Sequence, residues 1–167
     1  SNRFAVAEQI NALYDGTGPF WGRPEAADFQ MIPVRQSERE GSDHPQERRI
    51  ADARTTGAKT VWQLAYAGSV GSQVILGLPA VAALRADPRL AGRVAIWPFE
   101  TGLAVPDAQV VLAEVYPSLW QAKAHRVKAE DEVLDSAQVR VSAGELAAWD
   151  AQGQLAKAFL GPDDLSH

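Results

Sequence analysis

Cysteine is absent from the 167 residues, which excludes disulfides, thiolate zinc sites and a cysteine nucleophile. Histidine is scarce. His44, His125 and His167 lie far apart in polar stretches, and no Ser sits in a Gly-x-Ser-x-Gly turn, so a serine triad is not expected. Basic charge is in deficit: a formal net charge of −5 argues against a general surface for duplex phosphates, although a local basic groove remains open. No apolar run reaches the roughly 20 residues of a membrane span, and no charged-then-apolar leader opens the chain, so a soluble protein without a membrane partner is expected, with the cytoplasm as its location.

What is present suits one globular domain: 46% of residues are hydrophobic, enough for a core. Ser1-Asn2 resembles the remnant of a cleaved tag, which leaves open a natural chain that starts earlier. Phe4, Ala7, Ile10 and Leu13 recur at helical spacing until Asp15-Gly16-Thr17-Gly18-Pro19 stops them. Phe20-Trp21 reads as a core plug or, alternatively, a stacking surface. From Arg35 to Arg54 both charge signs are dense, with Arg35/Arg39 and Arg48/Asp52 at helical spacing, which predicts a solvated helical face; phosphate contact by Arg48, Arg49 and Arg54 is the alternative.

Lys59 to Ala65 reads as a strand, and Gly68-Ser69-Val70-Gly71 as the turn into an apolar helix that Pro79 breaks or kinks. That turn could offer backbone N–H groups to an anion, but it lacks the P-loop ending and the full dinucleotide pattern. Strands at Arg93 to Trp97 and Val110 to Tyr116 follow, the first completing a βαβ unit, the second of uncertain direction because Pro98 to Gln109 is a short crossover. A polar connection then leads to a helix from about Glu132 to Asp150, which Ser142-Ala143-Gly144-Glu145 could split by a capping box. A short helix and an acidic tail close the chain.

Two carboxylates, Glu100 and Glu114, accompany the apolar strand runs. Strand alternation puts Glu114 on one face with Leu112 and Tyr116, and a carboxylate inside a buried strand requires a cation, a proton or donors. Asp131 and Asp135 form an i, i+4 pair whose mutual repulsion a hard cation, Mg²⁺ or Mn²⁺, would relieve with oxygen ligands. The functional expectation is a metal clamp from Glu114 and Asp135, joined by Asp131 or Glu100, with Glu100 the more peripheral because it follows a proline-ended strand. The alternative is a surface Asp pair and a Glu114 neutralised by arginine.

The segments VWQL at Val61, GSVGSQVILGLPAV at Gly68, IWPFETG at Ile96, EVYPSLW at Glu114 and DSAQVR at Asp135 together resemble an uncharacterised bacterial family. Its members are described as RNase H-like, sometimes as predicted nucleases and sometimes in connection with cobalamin or molybdopterin biosynthesis. The resemblance spans Phe20 to Pro162 and implies an α/β, RNase H-like fold with a mixed or mostly parallel sheet flanked by helices. It implies a divalent-metal-dependent nuclease or phosphoryl-transfer protein acting on nucleic acid or a phosphorylated small molecule, with Glu114 in the strand role and Asp135 in the late-helix role. Such folds open with a strand hairpin carrying a further aspartate, whereas this chain opens with a helix. Either the chain is a C-terminal part of the fold, with an exposed sheet edge that would favour a homodimer, or the analogy fails. The competing reading is a non-catalytic ligand-binding or interaction module, with a role accessory to cofactor biosynthesis as a third.

Overall fold

A computed structural model describes residues 2–161. They form a mixed α/β chain with five α-helices and a two-stranded parallel sheet among the described residues. Two compact units divide it, Ser1–Leu84 and Arg85–His167.

In the first unit, helix α1 (Arg3–Asn11) buries Ala7 and packs Phe4 and Ile10 on the core formed by Ala7, Phe20, Ile32 and Leu64. That is the predicted stripe without Leu13, which lies beyond the helix end and is exposed. Phe20 is the expected plug: it is 2% exposed and meets the Trp62 ring edge-on at 5.1 Å. Little regular structure surrounds this core, so side chains satisfy the backbone instead. Asn11, fully buried, donates through Nδ2 to the carbonyls of Phe20 (2.8 Å) and Met31 (2.7 Å) and accepts the Phe20 N–H through Oδ1 (2.9 Å). Arg23 gathers the carbonyls of Ile32 and Ala27, both at 2.7 Å.

The strand expected over Lys59 to Ala65 does not form. The segment makes one isolated bridge, Trp21 with Gln63. The Thr60 hydroxyl accepts the Trp62 N–H (3.2 Å) and the Gln63 amide donates to the Ala65 carbonyl (2.9 Å), local bonds that compete with a ladder. The charged stretch is equally irregular. Only a 3₁₀ turn, Gln36–Glu38, and the short helix α2 (Ile50–Arg54) interrupt it. Asp52 is buried rather than on the expected solvated face, because Arg49 offers both its backbone N–H and its guanidinium to this carboxylate, each at 2.9 Å, with Arg48 adding charge nearby. Helix α3 (Gly71–Ala86) runs unbroken through Pro79, whose fixed φ suits a helix and whose missing N–H removes a single bond.

The second unit holds strands β1 (Val94–Trp97) and β2 (Val110–Ala113), rich in β-branched residues. They pair in parallel, from Val94 with Val110 to Trp97 with Ala113, which settles the direction that the short crossover left open. A 3₁₀ turn, Pro117–Trp120, leads into α4 (Gln121–Val127), where a polar connection was expected. Its register is set by Ala124, wholly buried against Ala137 and Val141 of α5 (Leu134–Ala151). An alanine contributes too little apolar area to mark a face in a polar sequence. Helix α5 is continuous: Ser142 and Gly144 lie inside it. It ends where Gly153, at φ +67°, donates its N–H to the Asp150 carbonyl as a left-handed cap. Two ring pairs complete the packing, Trp97 with Phe159 and Trp120 with Trp149, both edge-on at 5.7 Å. The acidic tail lies outside the described residues. Among the described residues no helix is long and apolar enough to cross a membrane.

Candidate functional site

The second unit's two strands run in one direction, so both carboxyl ends open on the same side. Their register places Pro98 and Glu114 just past the last pair, Trp97 and Ala113. In open parallel sheets this is the edge where ligands gather.

Glu114 was expected inside a buried strand. It lies instead one residue beyond β2 and is exposed, because β1 leaves the ladder at Pro98 and gives β2 nothing further to pair with. The desolvation argument for a bound cation is therefore removed. Glu114 engages a neighbouring group, yet a carboxylate has room for about four hydrogen bonds. Tyr116, half-buried, follows it towards the 3₁₀ turn.

Glu100 is not a ligand but an edge cap. The Val110 N–H donates to the Arg93 carbonyl (2.9 Å), so alternate β1 residues point towards β2 and the N–H and C=O of Ile96 point away. Glu100 takes both: its Oε2 accepts the Ile96 N–H and its own N–H donates to the Ile96 carbonyl, each at 2.9 Å. Arg85 Nε adds a bond to Oε1 at 2.9 Å. The Ile96 N–H, with Arg85 beside it, holds the Glu100 carboxyl below its usual range. A free strand edge is thereby closed.

Asp131 and Asp135 do not share a helix face. Helix α5 begins at Leu134, so Asp131 sits in the preceding turn and Asp135 in the first helical turn, both exposed. The reason is Glu132. Its carboxylate receives Arg140 (2.8 Å), the Ser136 hydroxyl and the Ala129 N–H (both 3.2 Å), which folds the turn back against α5. Arg140 above all, with those two donors, lowers the Glu132 carboxyl to about 2. Asp135, near the positive end of the helix dipole, gains stabilisation there without a metal. Among the described residues no three acidic or histidine side chains lie together to hold an ion.

Other sequence candidates are absorbed by the fold. The Ser69 N–H bonds to the Tyr66 carbonyl (3.1 Å) and the Gly71 N–H to the Gln63 carbonyl (2.8 Å), so two of the glycine turn's N–H groups are unavailable to a phosphate. Gly71 is glycine because a Cβ would come within 2.7 Å of the Gln63 carbonyl oxygen. His44 Nε2 lies 3.0 Å from the Asp15 carbonyl, and His125 is exposed on α4; His167 is outside the described residues.

Sequence reading overlooked Phe99, on the turn that leaves β1. It is 74% exposed. The signal was available: Phe99 follows a proline that ends an apolar run, so it could not continue the buried strand. No family model, curated protein or solved structure matches the chain.

Proposed function

We propose that the carboxyl-terminal edge of the β1–β2 pair is a ligand-binding rim, with Glu114 as the polar group that receives N–H donors from a small ligand. One observation carries this reading: Glu114 lies exposed at the shared opening of two parallel strands, with acceptor capacity beyond the neighbouring group it engages. The support from strand geometry is an analogy with open α/β sheets.

The test is calorimetric titration with agmatine, which offers a guanidinium, and with cytidine, which offers an exocyclic amine. At least one should bind, and Glu114→Gln should weaken it about tenfold, the amide keeping the shape but losing the charge-assisted bond. Equal affinity for both proteins, or no binding of either ligand, would contradict the reading.

The second reading is the RNase H-like, metal-dependent phosphoryl-transfer protein of the family resemblance. Glu114 at a strand end favours it. Glu114 and Asp135 are hard oxygen donors of the type Mg²⁺ or Mn²⁺ takes, but the described residues bring no third acid to them, so no chemical step is assigned to an ion. Titration with Mn²⁺ separates the readings: stoichiometric binding lost in both Glu114→Gln and Asp135→Asn supports the metal, and identical null titrations remove it.

A further inference from the structure

We propose that Phe99 is the stacking platform of this rim and that the ligand it receives is a nucleobase, presented as a neutral nucleoside. The inference rests on the rim reading and adds the chemical class of the ligand.

Single exposed apolar side chains are ordinary on protein surfaces. What sets Phe99 apart is that its backbone is held from both sides while its ring is left uncovered. The Glu100 N–H binds the Ile96 carbonyl, the Ile96 N–H binds Glu100 Oε2, and Arg85 anchors the same carboxylate, all at 2.9 Å. The Gly102 N–H closes the turn on the Pro98 carbonyl at 2.8 Å. Gly102 permits this closure through a φ of +65°, which other residues rarely adopt. These bonds hold the backbone on both sides of Phe99, which fixes where its side chain leaves the turn.

Four of the unit's other rings are half-buried and form pairs. Trp97 pairs with Phe159 and also donates its indole N–H to the Phe159 carbonyl at 3.1 Å, and Trp120 pairs with Trp149. Phe99 contacts no other ring among the described residues. An exposed aromatic face without a ring partner gains by stacking on a planar ring, and the turn has already ordered the backbone that carries it.

Glu114 specifies the rest of the ligand. It leaves β2 next to the point where the Phe99 turn leaves β1, because Trp97 and Ala113 are the last paired residues and neighbouring strands are about 4.8 Å apart. A planar ring with N–H donors on its edge satisfies both groups at once. Cytosine, through N4, and guanine, through N1 and N2, have such edges. Residues 85–167 carry more acidic than basic side chains, which disfavours a polyphosphate backbone and selects a nucleoside over a nucleic-acid strand.

The test measures binding of guanosine, cytidine, ribose 5-phosphate and a short oligocytidylate to the whole chain, with Phe99→Leu, Phe99→Trp and Glu114→Gln variants. The exposed ring can be replaced without opening a core, and an unchanged circular dichroism spectrum checks this. The expected result is binding of guanosine or cytidine, at least tenfold weaker in Phe99→Leu and retained in Phe99→Trp. Ribose 5-phosphate should not bind, and the oligocytidylate should bind no tighter than cytidine. Wild-type affinity in Phe99→Leu overturns the platform while leaving the rim to its agmatine test. Tight oligocytidylate binding overturns the choice of a nucleoside. Loss in Phe99→Leu with none in Glu114→Gln keeps the platform and removes the rim carboxylate.

Discussion

The two units differ in how deeply they bury the polar side chains that serve their backbones. In residues 1–84 several polar side chains are taken up by the fold: Asn11 and Arg23 bond backbone carbonyls, Arg39 pairs with Glu47 at 2.7 Å, and Arg49 surrounds Asp52. Even the Trp21 indole N–H is spent on Glu47 at 3.0 Å. In described residues 85–161 two helices and a strand pair carry more of the backbone, and side chains such as Glu100, Lys128 and Glu132 bond the groups at their edges and ends. Glu100 and Glu132 hold turns; Glu114 and Asp135 stand exposed. A unit poor in regular structure requires side chains for its backbone, and one with regular elements can leave some at a rim.

The largest expected effect lies in the first unit. Asn11→Ala would orphan the buried Phe20 N–H and C=O and the part-buried Met31 carbonyl, costing at least about 3 kcal/mol at roughly 1–3 kcal/mol per unsatisfied group. Urea denaturation followed by tryptophan fluorescence, which reports Trp62 beside Phe20, should show the midpoint fall with little change in slope. An unchanged midpoint would mean that the clamp is decorative and the comparison wrong.

A smaller effect is expected in the second unit, and it depends on pH. Glu132 has a carboxyl lowered from 4.5 to about 2 in the folded chain. A depressed folded value means that the carboxylate form stabilises the fold. That contribution is fully present above about 4.5 and is lost as pH falls through about 2. Melting temperatures recorded across this window should decline in the parent chain and decline less in Glu132→Gln, which never carries the charge. Parallel curves for the two proteins would detach Glu132 from the stability of the α5 turn.

How much of this was legible in sequence follows the same division. The α1 stripe, the Phe20 plug, both strands and the start of α5 to within two residues were readable, because large apolar or β-branched residues mark them. The strand expected at Lys59–Ala65 was not, since the side-chain bonds of Thr60 and Gln63 override a local β preference. Helix α4 escaped because one buried alanine fixes it. The candidate site was half legible. Glu114 was found for a reason that failed, burial inside a strand, and stays for another, its place at the open strand ends. The Asp131/Asp135 pair dissolved because Glu132, between them, forms a turn whose partners lie four and eight residues ahead.

The sharpest test of the contrast between a unit that spends its polar groups and one that exposes a rim is a ¹⁵N-resolved NMR titration of the whole chain with cytidine. Amide shifts confined to residues 99–102 and 114–116 are the predicted result. Shifts concentrated in the glycine turn at 66–72, or no saturable shift at the strand ends, would contradict it.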